Sequence, residues 1–394
     1  MSKNLVSNGF NKRTIYHNTD LIYKYIFKIK IPKYICKNCE NHLYEKCNFA
    51  LSNSSFSLET IFAVLNTLKE INMSFSAVAR LMRISPQQCI RLFDRFVAEP
   101  PLIPIFPEII SFDEKFLNKN IAENGYTFII VDWLNVKIID ILSSRHFDKL
   151  TSYFSKISPE IRSKVKYITM DMYDTYLRIA KIYFNNAIIV VDSFHVIQNL
   201  IRAFDKVRSK FLRKFDNGAD DLEDNDENYY LLKKGKDLLT KKYGELSLEK
   251  KHNKKFKSYL SDRNFVDLIL KIDPEILKAY NLMQDYLEFN CYTNYEEAKK
   301  DFDYIISEFN SSEITSYIEF SYTLNNWKEY ILNSFTFIYD ENLGKRRRLS
   351  DGPIEGINNN IEKIHSSSNG LNNFNRLKKL AIYKINKDLP YKFN

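Results

Sequence analysis

EIISFD (108–113), YTFIIVD (126–132) and VKIIDIL (136–142) are short runs rich in β-branched and aromatic residues, and they predict three consecutive strands. HFDKLTSYFSKI (146–157) reads as a helix, KVKYITMD (164–171) as a fourth strand and DTYLRIAKIYF as a second helix. AIIVVDSFH (187–195) is a fifth strand, followed by the long helix VIQNLIRAFDKVRSKFLRKF. The order βββαβαβα predicts an α/β layer on a mixed five-stranded sheet.

Two acids close strands in this pattern: Asp113 ends the first and Asp171 the fourth. In a βββαβ layout the crossover returns the fourth strand to the free side of the first, and adjacent strands lie about 4.7–4.9 Å apart. Carboxylates at the same end of such neighbours can hold one or two divalent cations. Asp174, one turn on, competes with Asp171; Asp192 ends the fifth strand, one place further away. Asp132 ends the second strand and points from the opposite edge if that strand is antiparallel to the first. Glu114 alternates to the other face. The plainer reading of each Asp is a turn former or helix cap. A third acid comes from LSDGPIEGINNNIEKI (349–364), in which Ser350, Asp351 and Pro353 open a helix. Ile354, Ile357, Ile361 and Ile364 give that helix one apolar face, and Glu355 sits in its first turn. An acid there already opposes the helix macrodipole by roughly 0.3–1 kcal/mol. With Asp113 and Asp171 it would complete a set suited to two-metal phosphoryl transfer, and Mg²⁺ prefers few protein carboxylates.

Further out, 394 residues predict two or three domains. No run of 18 apolar residues exists, and MSKNLVSNGFNKRT lacks the apolar segment of a secretory signal. Five cysteines argue for a reducing compartment. A net charge of +9 favours a polyanionic partner, although an AT-rich genome yields the same Lys- and Asn-rich composition. Residues 1–50 are basic, LSNSSFS (51–57) reads as a linker, and helical patterns follow at 58–71 and 76–83. ISPQQCIRLFDRFV then starts a helix with Ser85 as cap and Pro86 in first position. The two helices and their short turn resemble a helix-turn-helix domain over 55–100, with Gln87, Gln88, Arg91 and Arg95 on its outer face; an ordinary helical hairpin is the alternative. Beyond the α/β layer, seven acids between 216 and 227 predict a solvated loop, and residues 229–340 read as almost wholly helical. Lys345, Arg346, Arg347 and Arg348 form a basic run, and LNNFNRLKKLAIYKIN a basic terminal helix.

Taken together, ISFDE (110–114), ITMDMYDTY (168–176), VVDSFHVIQNLIRAFDKVR (190–208) and SDGPIEGINNNIEKI (350–364) resemble the DDE transposases of the bacterial insertion-sequence group called ISL-three. LKAYNLMQDYLEF and TLNNWKEYI resemble that family's helical insertion. The resemblance implies an RNase-H-like core over 104–215 and 346–394, interrupted by an all-helical insertion at 216–345. It carries the catalytic, metal-holding roles onto Asp113, Asp171 and Glu355 and implies Mg²⁺ or Mn²⁺, two ions. It places Asn358 and Asn359 beside the metal site or DNA end and Asp192 and His195 near it, with His195 expected as a packing residue. It also implies a cytoplasmic protein that binds terminal inverted repeats and target DNA, acts as a homodimer on DNA, and has no membrane partner.

The family opens with a zinc ribbon of two CxxC knuckles. Cys36 and Cys39 match the second, so residues 1–50 are expected to be a partial, truncated ribbon-like segment. Cys36, Cys39, His42 and Cys47 could supply four ligands to Zn²⁺ at tighter spacing than usual, whereas Cys89 and Cys291 are expected in the core. Where the family tends to carry basic residues after the glutamate helix, this chain has Glu362 and HSSS (365–368). The expected activity is metal-dependent DNA cleavage and strand transfer, with the basic run 345–348 neutralising phosphates. The alternatives are an inert relic or DNA-binding regulator that kept the fold, and a structure-selective nuclease.

Overall fold

A computed structural model describes residues 5–19, 23–219, 221–222, 225–292, 294–368 and 371–393. The chain opens with a three-stranded antiparallel sheet, β1 (Leu5–His17), β2 (Tyr25–Cys36) and β3 (His42–Tyr44), in that order. Three helices follow: α1 (Leu58–Leu68), α2 (Phe75–Leu81) and α3 (Pro86–Phe96). Each begins at a serine, Ser57, Ser74 and Ser85, whose side chain accepts a backbone N–H of the first turn. Gln88 completes a capping box with Ser85.

The α/β layer comprises β4 (Ile109–Phe116), β5 (Tyr126–Asp132), β6 (Lys137–Leu142), β7 (Tyr167–Met170) and β8 (Ile188–Val191), in the order β6-β5-β4-β7-β8. β4 pairs with β7 and β7 with β8 in parallel, and β5 with β6 antiparallel. This mixed sheet is consistent with an RNase-H-like domain and puts the fourth strand of the layer beside the first, as the crossover requires. Helices α4 (Phe147–Phe154), α5 (Pro159–Arg162) and α6 (Asp174–Tyr183) fall among the strands, and α7 (Ser193–Lys214) follows β8.

The next segment is not all helical. Helices α8 (Glu227–Lys234) and α9 (Lys236–Leu239) precede a hairpin of β9 (Lys251–Asn253) and β10 (Ser258–Leu260). Five helices follow: α10 (Asp262–Leu270), α11 (Pro274–Phe289), α12 (Tyr295–Asn310), α13 (Thr315–Asn326) and α14 (Lys328–Asn333). A second hairpin pairs β11 (Phe337–Asp340) with β12 (Lys345–Arg348), so the basic run is a strand. Its turn needs a left-handed residue, Gly344 at φ +63°, and Asp340 accepts the Leu343 N–H. Strands of three or four residues are too short to show an alternating pattern, which is why both hairpins escape a periodicity reading. Asp220, Glu223 and Asp224 of the acidic run lie outside the described residues. The chain ends with α15 (Gly352–Ser367) and α16 (Phe374–Asn386). No helix among the described residues is long and apolar enough to cross a membrane.

The chain forms two compact units. The first comprises Met1–Ile105, Asp113–Tyr153 and Pro353–Asn394. Its core joins Ile61, Val64 and Leu65 of α1 and Phe93 of α3 to Ile129 and Val131 of β5, the four isoleucines of α15 and Leu377 and Leu380 of α16. The second comprises Phe106–Phe112 and Phe154–Gly352. In it Phe106, Phe112, Phe154 and Phe184 pack with ring centroids 5.3–6.5 Å apart. A separate aromatic cluster holds its helices, with Phe309 5.1 Å from both Tyr317 and Phe320.

Candidate active site

The β4–β7 register pairs Ser111 with Thr169 and Phe112 with Met170. The Ser111 and Thr169 hydroxyls, fully buried, meet at 2.7 Å and satisfy each other. Asp113 follows Phe112 within β4, and Asp171 follows Met170 directly after β7.

In the first unit Asp113 is held twice. Its Oδ1 accepts the N–H of Glu114, and its Oδ2 accepts the Asn358 amide at 2.5 Å. Asn358 is buried on α15, one turn beyond the exposed Glu355, and its Oδ1 has no hydrogen-bond partner among the described residues. Position i+3 shares a helix face with i, so Glu355 lies on the side of α15 that reaches Asp113. The helix is fixed there by Ile354, Ile357, Ile361 and Ile364, each 1% exposed or less. Asn359 is exposed. Glu362, where the family tends to be basic, pairs with Lys115 at 2.5 Å, and that lysine holds its carboxyl below the usual range. Glu114 pairs with Arg145.

In the second unit His195 Nε2 lies 2.7 Å from Asp171 Oδ1, with the imidazole 32% exposed. His195 is therefore not a plain packing residue. The signal for it is its place in the first turn of α7, directly after β8 in VVDSFH. Asp192 is buried and accepts the Asp351 N–H at 3.3 Å, and β8 sits one strand beyond β7, so it serves the start of α15. Asp132 accepts N–H groups of Leu134 and Asn135 and closes the β5–β6 turn. Asp174 is exposed at the start of α6.

Among the described residues no three His, Cys, Asp or Glu stand close enough to hold one metal ion. Cys36, Cys39, His42 and Cys47, the residues expected to bind Zn²⁺, form no such group here. Cys36 and Cys39 flank a tight turn whose backbone N–H groups lower the Cys36 thiol, while Cys47 lines a separate cavity with Asn11, Arg13 and Leu51. Cys89 is buried as expected; Cys291 is exposed, contrary to expectation, because it lies just past the end of α11. Asp113 and Glu355 lie in the first unit and Asp171 in the second.

The cationic residues divide sharply. Gln87 and Arg91 are exposed on α3, whereas Gln88 is engaged in the capping box and Arg95 donates to the Asn53 carbonyl. Lys345 and Arg346 are exposed. Arg347 is committed to the buried Asp340, and Arg348 donates to the Asn290 and Ser334 carbonyls and over the Phe335 ring, its charge destabilised by burial. The terminal helix spends its cations internally: Arg376 on Asp94, Lys378 on Asp140, Lys379 on Glu99 and Lys384 on three carbonyls.

This mixed sheet, with Asp113 within β4 and Asp171 directly after its parallel neighbour β7, is consistent with an RNase-H-like domain. A family model described as transposase, of the DDE type and the ISL-three group, matches residues 110–381. The chain belongs to that family of DDE transposases. No protein among the curated ones matches it.

Proposed function

We propose that this transposase binds the terminal inverted repeats of its element, cuts them and joins them to target DNA, with Asp113, Asp171 and Glu355 as the acids of the site. The observation that carries the reading is the parallel register of β4 and β7, which pairs Ser111 with Thr169 and Phe112 with Met170, the residues just before Asp113 and Asp171. The Asn358–Asp113 bond supports it by tying the glutamate helix to the first aspartate. Three carboxylates suit a hard divalent cation, and the unpartnered Asn358 Oδ1 is a ready acceptor for a water beside it. When bound, one or two Mg²⁺ or Mn²⁺ ions supply activation of the attacking oxygen and neutralise charge on the phosphoryl group.

The chain's own residues do the rest. Asn358 holds Asp113 in one rotamer, and His195 Nε2 holds Asp171. Water attacks the phosphodiester at the repeat end and frees a 3′-OH, which then attacks a target phosphodiester. Lys345 and Arg346 meet phosphates, and Gln87 and Arg91 face the major groove. Two ends must be joined, so the DNA complex contains a homodimer.

The test is Asp113→Asn on a labelled repeat-end duplex with Mg²⁺. Wild type is expected to nick and transfer, and the variant to bind without cutting. A wild type that binds repeats and never cuts overturns the enzyme reading in favour of a regulator. Nicking without strand-transfer products points to a nuclease.

A further inference from the structure

Eight Lys and Arg but a single acid occupy residues 1–39, so this tenth of the chain carries +7 of the net +9. The N-terminal sheet sorts that charge by face. The register pairs Asn11 with Ile31, Arg13 with Ile29, Ile15 with Phe27 and His17 with Tyr25 on one face. That face is partly covered: Ile15 and Ile31 are buried, Arg13 donates to the Leu51 and Ser54 carbonyls and His17 bonds Ser57, while Asn11, Tyr25 and Phe27 stay exposed. The other face pairs Phe10 with Pro32, Lys12 with Lys30, Thr14 with Lys28 and Tyr16 with Ile26. Lys12, Lys28 and Lys30 are all exposed there, and none pairs with an acid among the described residues. Lys24 joins the same face, its ammonium 4.9 Å from the Tyr16 ring. Phe10 at 62% and Ile26 at 53% exposure flank the lysines.

Like charges placed directly opposite across two strands destabilise a sheet, so Lys12 and Lys30 are not there for the fold. A two-stranded ribbon fits the roughly 12 Å major groove of a duplex. Ammonium groups act as point charges for phosphate and lack the planar fork that reads base edges. We propose that this face, Lys12, Lys24, Lys28 and Lys30, docks duplex DNA through its phosphates, independently of sequence and of any metal. The choice of DNA rests on the transposase reading; the charged face does not.

The experiment titrates full-length protein with a random-sequence and a repeat-end duplex, without divalent metal, from 50 to 300 mM salt. Each phosphate contact contributes about −0.9 to the slope of log K against log[salt]. The Lys12→Gln, Lys28→Gln, Lys30→Gln triple variant is expected to shallow that slope by about 2–3 on both duplexes. At 0.1 M salt it is expected to bind each on the order of 100-fold more weakly. The matching triple arginine variant should restore both, which rules out misfolding. Wild-type slope and affinity in the glutamine variant overturn the proposal, as does a loss the arginine variant fails to restore. Because no cleavage is read, the outcome stands apart from the Asp113→Asn test.

Discussion

Asn358 gives the candidate site its most specific single contact, because its amide touches Asp113 from the helix that carries Glu355. Asn358→Ala removes one of the contacts that hold that carboxylate, and removal of such outer partners typically costs 10–100-fold in metal affinity or activity. Repeat-end cleavage should fall by about that factor, with the metal requirement rising and DNA binding in the absence of metal unchanged. Lys384 offers a different readout. It is fully buried on α16, donates to the carbonyls of Glu70, Ile71 and Met73, and burial pushes its pKa down to about 8 from an ordinary 10.5. Between those values the unfolded chain binds the proton and the folded chain does not. Stability therefore rises as pH climbs from about 8 to 10.5, and this contribution fades as pH falls through 8. The urea midpoint should climb over that window in wild type and flatten in Lys384→Met. Nearby, burial pushes the Cys89 thiol up to about 12, so it should resist alkylation until denaturant is added, while the exposed Cys39 and Cys291 react in the native chain.

Among the elements, β12 shows how one basic run serves two purposes. Arg348→Ala removes a guanidinium bonded to Asn290 and Ser334 and should destabilise by about 3 kcal/mol, read by thermal unfolding. Lys345→Ala, at an exposed position, should leave the unfolding midpoint in place and weaken DNA binding several-fold at low salt. No reading of KRRR alone separates these outcomes, since the partners of Arg348 lie 14 and 58 residues away. What the sequence does convey is whatever local rules dictate. The serine caps, the Pro86 start and the four isoleucines of α15 are written in adjacent residues, and the place of β7 beside β4 follows from the crossover. The resemblance brings His195 near the site, but its contact with Asp171, just past β7, is not legible from its own neighbourhood on α7.

At the scale of the molecule, the family match spans residues 110–381 and so draws on both compact units. The first unit is assembled from three stretches, with α1–α3 from near the start of the chain sharing a core with α15 and α16 from its end. Ile361→Ala within that core should cost about 2–5 kcal/mol, seen as a lower urea midpoint. Ending the chain at Gly352 would strip the isoleucines of α15 and Leu377, Leu380 and Tyr383 of α16 from α1 and α3. Their apolar faces would then be bare to water, and the shortened protein should aggregate on expression. Synthesis runs from the amino end, so this core stays open until α15 and α16 have left the ribosome. A gene copy decaying by an early stop codon therefore falls silent through misfolding, even when the codons for Asp113 and Asp171 are intact.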